Sequence, residues 1–321
     1  MDNLAIVESE LKTKNILVRP QYRNIMCSIS GGSDSDIILD LCERFKPPNK
    51  NIYYVFFDTG LEYQATKDHL DYLENKYNIK IERIRPKKTL PIAVKEYGQP
   101  FLSKEVSENI EALQKHNFNF IDISYDKMLS LGIPKSYCNW WCNISEMRSY
   151  SVSSNKHLKE FLILNPPKFK ISAKCCYHTK KSLSKKYIKE NDIDLKIMGI
   201  RRAEGGVRAT AYKNCFTTHE EKIDEYRPIF YYKDEDKSFY KLQNNILNSN
   251  CYEVYGLKRT GCTGCPFNRN LISEIDIINN FELKLYKATQ NIFKDTYEYT
   301  KQFRKFQAER KGKPDKFYSE V

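Results

Sequence analysis

The sequence predicts a doubly wound α/β sheet, and three observations carry that reading. An apolar run, Ile25-Met26-Cys27-Ser28-Ile29, leads into Ser30-Gly31-Gly32-Ser33-Asp34-Ser35 and then a helical pattern with Ile37, Ile38, Leu41, Cys42 and Phe45 on one face. A second apolar run, Ile52 to Phe57, ends in the polar stretch Asp58-Thr59-Gly60-Leu61-Glu62. Strand-length and helix-length patterns then alternate, as in parallel sheets with crossover helices.

Taken in order, residues 1–24 form an N-terminal extension of one short helix and a connector. The strand at 25–29, the glycine turn and the helix to about 45 follow, and Pro47-Pro48 stops that helix. The second strand covers 52–57. A helix over about 64–77 places Thr66, Leu70, Leu73 and Tyr77 on one face. Residues 80–85 read as a third strand, closed by Pro86, and about 103–115 as a helix with Val106, Ile110 and Leu113. From about 125 to 174 the pattern weakens around Cys138-Asn139-Trp140-Trp141-Cys142, and the segment reads as an inserted lid. Helical signal returns at 178–190, and 195–200 is a further strand running into Arg201-Arg202-Ala203-Glu204. The sheet domain is thus expected over 25–267. A helical C-terminal region over 268–321 follows, with Phe281, Leu285, Ala288 and Ile292 at helical spacing and a basic tail.

At 321 residues, 40% hydrophobic and 29% charged, the chain can bury a sizeable core. No stretch approaches the roughly 18 apolar residues of a membrane span, and Met1-Asp2-Asn3-Leu4 does not open a secretion signal, so no membrane partner and a cytoplasmic location are expected. The net charge of +12 favours anionic partners, nucleotides or nucleic acid among them; the plain alternative is a solvated lysine-rich surface. Ten cysteines in such a chain suggest metal, cluster or redox chemistry rather than a disulfide framework.

The turn at 30–35 is the first candidate site. Gly31 and Gly32 let backbone N–H groups approach a phosphate at a helix N-terminus. Ser30, Ser33 and Ser35 add hydroxyls, and Asp34 can cap the helix or hold a phosphate-bound metal ion. It is neither a Walker loop nor the dinucleotide GxGxxG; the plain alternative is an ordinary capped turn. The cysteines are the second. Cys175-Cys176 and Cys262-Thr263-Gly264-Cys265-Pro266 together supply four thiolates, enough for a zinc or a [4Fe-4S] cluster. Adjacent cysteines suit a cubane, with its several irons, better than one structural zinc. Cys138 and Cys142 read as structural or as an accessory redox pair. Arg201, Arg202 and Arg208, with Lys180 and Lys181, suit sulfate or phosphate, Glu204 is placed to orient them, and His178 lies beside the cysteine pair.

In combination these motifs resemble a known family. Ser30 to Ser35 is similar to the PP-loop, SGGxDS, of the adenine nucleotide alpha-hydrolase superfamily. Val55 to Glu62 resembles a signature of its phosphoadenosine phosphosulfate (PAPS) reductase branch. Cys175-Cys176, Gly199 to Glu204 and Arg259 to Phe267 match that branch in order. The resemblance implies a Rossmann-like doubly wound PP-loop sheet with an inserted lid and a helical C-terminal region. It implies an ATP or adenylyl sulfate-type nucleotide with phosphates on Ser30, Gly31, Gly32, Ser33, Asp34 and Ser35, and adenosine near Asp58, Thr59, Gly60 and Glu62. Asp34, Arg201 and Arg202 become the catalytic candidates, and Cys175, Cys176, Cys262 and Cys265 the ligands of a [4Fe-4S] cluster. The family's common loop lysine is Ser33 here, so another cation, Mg²⁺ or an arginine, is expected to offset the phosphate charge. The last cysteine is Cys265, so the nucleophilic tail cysteine of sulfonucleotide reductases has no counterpart unless Cys138, Cys142 or Cys251 substitutes. The pattern is closer to relatives of the DNA-phosphorothioation ATP pyrophosphatase. The implied activity is cleavage of an α–β phosphate bond to adenylate an acceptor or drive sulfur transfer, with DNA or RNA and a sulfur-donor protein as candidate partners. The alternatives are a thiol-dependent reductase of adenylyl sulfate or PAPS, and a nucleic-acid-binding cluster subunit without turnover.

Overall fold

The computed structural model describes residues 3–144, 150–205, 211–218 and 223–311. The chain forms two compact units, one of residues 1–87 and 179–263, the other of 88–178 and 264–321. The segment that leaves the sheet unit is therefore longer than the 125–174 lid expected from sequence, and the C-terminal helices group with it. The physical reason lies in the helix Lys104–Lys115. Its Val106, Ile110 and Leu113 pack with Phe101, Phe118, Trp140, Trp141 and Phe303 rather than against the sheet.

The first unit begins with α1 (Leu4–Leu17), capped by the Asn3 side chain. Strand β1 (Asn24–Ile29), helix α2 (Ser33–Phe45), strand β2 (Asn51–Phe57), helix α3 (Gln64–Tyr77) and strand β3 (Ile81–Ile84) follow. The chain returns at 179 with α4 (Ser182–Glu190), β4 (Leu195–Met198), β5 (Phe216–Thr217), β6 (Asp224–Tyr226), α5 (Asp234–Gln243) and α6 (Asn250–Glu253). The sheet order is β3-β2-β1-β4-β6-β5, parallel except for β5. The chain moves outward from β1 through β2 to β3, then resumes on the other side of β1 at β4. That reversal is a topological switch point, where open α/β sheets leave a crevice at the carboxyl ends of their strands. Ser30 to Ser35 and Gly199 to Glu204 leave β1 and β4 there.

The sheet has two packed faces. Ile25, Cys27 and Ile29 of β1 join Ile37, Leu41 and Cys42 of α2 and Leu17 of α1 in the larger core, as the helical pattern predicts. On the other face Met26 and Val55 pack with Tyr187 of α4 and with Ile193.

The second unit is helical. Its core gathers both tryptophans, and Cys138 is buried among them, with Sγ directed at the Ile133 carbonyl oxygen (3.3 Å). The C-terminal stretch is three helices, Leu271–Phe281, Leu283–Ile292 and Lys294–Arg310. A break at Glu282 moves Phe281, at 48% exposure, off the expected face, while Phe293 and Phe303 are buried. No helix among the described residues is long and apolar enough to cross a membrane. Arg208 and the basic tail beyond Lys311 lie outside the described residues.

Candidate nucleotide-binding site

The turn after β1 is shaped by its glycines. Gly31 has φ +67°, and a Cβ there would sit 2.6 Å from Cγ2 of Thr66 on α3. Gly199, at the end of β4, is equally constrained: a Cβ would come within 2.9 Å of the Asp34 carbonyl oxygen. Two backbones thus approach each other at the switch point. Gly32 precedes the first residue of α2, so the turn delivers its N–H groups to a helix N-terminus.

Hydroxyl groups surround those N–H groups. Gly32 N–H donates to Ser30 Oγ (3.3 Å) and Ser35 Oγ (3.2 Å), and the Ser35 hydroxyl donates to Gly32 O (2.7 Å). Ser33 N–H points at the Tyr252 hydroxyl (3.4 Å), which also contacts the Thr260 hydroxyl (3.3 Å). Burial pushes the Tyr252 phenol above its ordinary range, so it remains a neutral hydroxyl.

The turn opens into a cavity of about 680 Å³ within the first unit. Ser30, Gly32, Ser33, Asp34, Ser35, Glu62 and Arg201 line it, which brings together seven of the sequence-predicted site residues. Lys180 and Lys181 also line it, as do Lys196, Lys237, Lys258 and Arg259, none of which sequence reasoning placed in the site. Cations therefore outnumber the lining carboxylates of Asp34, Glu62 and Glu204, and the lining favours an anion. Lys196 had a legible signal, a charge inside an otherwise apolar strand. Lys237 and Tyr252 are reached only through long-range folding.

Arg201 is 6% exposed. Its Nε donates to both carboxylate oxygens of Asp34 (3.1 Å each) and its Nη1 to Asp234 (2.8 Å). Burial opposes its charge, but Asp34 and Asp234 hold the guanidinium above its ordinary range. Arg202 is exposed and does not line the cavity; its backbone N–H donates to Phe230 O (2.8 Å).

Position 33, where the resemblance leads one to expect lysine, meets a lysine from elsewhere. The Lys241 Nζ of α5 lies 3.2 Å from Ser33 Oγ, 3.3 Å from Asp36 Oδ2 and 2.5 Å from Asn248 Oδ1. Asp36 is fully buried and also contacts His69 Nε2 (3.0 Å). Burial lowers the Lys241 ammonium from its ordinary range, against the attraction of Asp36.

The loop after β2 is a carboxyl pair. Gly60 N–H donates to Asp58 Oδ1 (2.9 Å) and Glu62 Oε2 (3.1 Å), Arg85 Nε to Asp58 Oδ2 (2.8 Å), and the Thr59 hydroxyl to Glu62 Oε1 (2.7 Å). Burial and the hydrogen bond with Asp58 push Glu62 up. Burial also opposes ionisation of Asp58, but the bonds from Glu62, Arg85 and Gly60 hold it below the usual range. The two groups titrate as a pair.

Of the four predicted ligand cysteines, Cys262 belongs to the first unit and Cys175, Cys176 and Cys265 to the second. Cys262 Sγ lies 3.6 Å from Thr59 Oγ1, and the next residue, Thr263, donates its N–H to Leu61 O (2.8 Å). Gly264 turns at φ +63°, with the Tyr297 hydroxyl bound to its carbonyl oxygen (2.5 Å). Cys175 and Cys176 sit on one helical turn, Lys174–Cys176. Among the described residues, no three histidine, cysteine, aspartate or glutamate side chains gather as a metal site. The donor set itself, four thiols with two adjacent and two in a glycine turn, has the chemistry a cluster requires.

A glycine turn at the switch point of a mostly parallel α/β sheet thus opens into a cavity lined mainly by cations. Residues 24–120 match the phosphoadenosine phosphosulfate reductase domain family, which spans β1, the turn, β2 and the paired-carboxyl loop. The chain is 25% identical over 276 residues to the uncharacterized protein MJ0066 of Methanocaldococcus jannaschii, covering 85% of this chain and 42% of that protein. This chain therefore spans less than half the length of that relative. Among solved structures it is similar to a phosphoadenylyl-sulfate reductase from Candida auris in its phosphate complex (14% identity, 79% of this chain and 87% of that one, TM-score 0.43). It is also similar to the U34-tRNA thiolase NcsA of Methanococcus maripaludis with its [4Fe-4S] cluster (14% identity, 90% and 78%, TM-score 0.40).

Proposed function

We propose that the chain binds ATP or a related adenylyl nucleotide at Ser30 to Ser35 and cleaves its α–β phosphate bond, adenylating an acceptor or driving sulfur transfer. The observation that carries the reading is the cavity itself: loop N–H groups at the α2 N-terminus, faced by an excess of lysine and arginine. The serine and tyrosine hydroxyls that now accept from Gly32 and Ser33 N–H would give way to phosphate oxygens. Those preorganised donors would stabilise the charge developing on the pyrophosphate leaving group. Asp34 positions Arg201, whose fork suits a phosphate. Asp34 is also the carboxylate that fits Mg²⁺, an ion held through one or two carboxylates plus substrate phosphates. Arg202 would act from outside the cavity.

Cys175, Cys176, Cys262 and Cys265 would hold the [4Fe-4S] cluster, which supplies sulfur or electrostatic chemistry when bound. The DNA-phosphorothioation pyrophosphatase type is favoured over a thiol-dependent reductase by the state of the substitute cysteines. Cys138 and Cys251 are fully buried, Cys251 against the Thr66 hydroxyl (3.4 Å), and burial pushes the Cys138 and Cys142 thiols up, away from the reactive thiolate. DNA or RNA and a sulfur-donor protein remain the proposed macromolecular partners, on the +12 charge and the sulfur chemistry.

The test is anaerobic purification followed by product assays with ATP, adenylyl sulfate and PAPS. Pyrophosphate from ATP is expected. Sulfite from either sulfonucleotide selects the reductase, and an intact protein that neither binds nor turns over any of the three overturns the reading.

A further inference from the structure

Lys196 occupies the middle of β4, with β1 on one side and β6 on the other. Its register partners are Met26 and Glu225. Side chains at matched positions of a parallel pair share a face, and Met26 packs with Tyr187 of α4. Lys196 therefore faces α4 and lines the cavity, and its β1 partner Met26 precedes the turn that starts at Ser30. Among the described residues its ammonium has no hydrogen-bond or salt-bridge partner. Glu225 attracts it through space, but that carboxylate is held by Arg227 Nη1 at 3.0 Å. Burial lowers the Lys196 ammonium from its ordinary range. Lys196 itself is only half-buried, so its ammonium reaches the cavity.

A second observation points to the same place. Ser184 lies on α4 one turn before Tyr187, is 8% exposed and lines the same cavity. Its hydroxyl oxygen is buried and, among the described residues, has no hydrogen-bond partner. Buried hydroxyls are normally satisfied. Among the described residues, an ammonium and a hydroxyl without hydrogen-bond partners thus lie on the sheet side and the helix side of one cavity.

We propose that Lys196 and Ser184 form a second anion subsite on the floor of the cavity, separate from Ser30 to Ser35, that takes a small oxyanion of the sulfate or phosphate class. The subsite goes beyond the nucleotide reading and does not depend on it. The oxyanion comes either free, as a second substrate, or as a group carried on the compound that the turn holds.

Sulfate is the probe, titrated by calorimetry into the full chain. Lys196→Met is expected to weaken sulfate binding on the order of tenfold, with Ser184→Ala weakening it less and Lys196→Arg retaining it. Without sulfate, Lys196→Met should match the wild type in stability, because the half-buried ammonium has no side-chain partner among the described residues to lose. Sulfate binding that persists in saturating ATP marks a free anion; displacement by ATP, together with weaker ATP binding by Lys196→Met, marks a group on the nucleotide. The proposal is overturned if Lys196→Met binds sulfate like the wild type, or if that variant is destabilised without sulfate, which would make Lys196 structural. Competition between adenosine and sulfate also overturns it, since that assigns the floor to a base.

Discussion

Arg201 Nε sits 3.1 Å from each carboxylate oxygen of Asp34, tying the segment after β4 to the first turn of α2 across the switch point. The contact joins the two chain segments that the parallel order brings side by side. Asp34→Asn should remove most nucleotide turnover while costing about 1–3 kcal/mol of stability, because the buried guanidinium keeps Asp234 but loses its main partner. Arg201→Lys should fold and still lose activity, since an ammonium cannot reproduce the fork. Chemical denaturation beside pyrophosphate release separates the two effects; a fully active Asp34→Asn would show the pair to be structural.

Gly199 predicts an effect at a distance in sequence. An alanine Cβ there would press within 2.9 Å of the Asp34 carbonyl oxygen, and backbone cannot yield as a side-chain tip can. Gly199→Ala should cost about 1–3 kcal/mol and weaken nucleotide binding by displacing the turn. Gly261→Ala, where a Cβ meets nothing within 4 Å, is the matched control for stability. Equal melting temperatures in the two variants would refute the close approach as a constraint.

What was legible in the chain followed the period of its apolar residues. The β1–turn–α2 unit, β2 and α3 are local patterns, and the structure places them within a residue or two of expectation. The helix at 104–115 was legible as a helix but not as a member of the second unit, because the identity of its packing partners, Trp140, Trp141 and Phe303, is not written in its own period. The same limit hid Lys241. Ser33 was visible as a missing cation at the turn, but the lysine that meets its hydroxyl comes from 208 residues further along the chain. Carboxyls, glycines and cysteines announce themselves by local spacing, whereas a lysine acquires meaning only from where folding carries it.

The Lys241–Asp36 pair should behave as a buried ion pair. Asp36 is fully buried, and its Oδ1 has no partner among the described residues. Lys241→Met leaves that carboxylate with His69 alone and should cost about 3–5 kcal/mol. The double variant Lys241→Met with Asp36→Asn should cost less than the sum of the two single changes, because each residue stabilises the other. Urea denaturation of the four proteins gives the coupling; strict additivity would exclude direct interaction.

The carboxyl pair after β2 predicts a pH dependence whose sign follows from the two shifts. Glu62 is raised by burial, so the folded state holds its proton more tightly than the unfolded chain. Its contribution is fully present below the ordinary carboxyl value of about 4.3 and is lost as pH rises through the folded-state value. Asp58 is lowered, so its contribution is present at neutral pH and is lost as pH falls through its folded-state value. Glu62→Gln mimics the protonated form and should gain stability relative to the wild type as pH rises from 4 to 7. Asp58→Asn should lose stability at pH 7 and converge on the wild type in acid. Melting temperatures from about pH 2 to 7 check both signs, and parallel curves for wild type and Glu62→Gln would rule out the raised carboxyl.

The cysteines carry the last prediction. Cys262 lies against Thr59 of the paired-carboxyl loop, while Cys175, Cys176 and Cys265 belong to the helical unit. Serine at any of the four should reduce iron in anaerobically prepared protein from about four per chain to well below one, with loss of the charge-transfer absorption. Serine at Cys138, whose thiol is spent on the Ile133 carbonyl oxygen inside an aromatic core, should leave the iron content intact and lower only stability. Serine at Cys27 serves the same purpose in the sheet unit, because that side chain is fully buried among Ile37, Leu41 and Cys42. Iron and sulfide content across the six variants decides the ligand set. Retention of iron when Cys175 or Cys176 is replaced would remove the adjacent pair from it, and zinc in place of iron would reassign the four thiolates to a structural site.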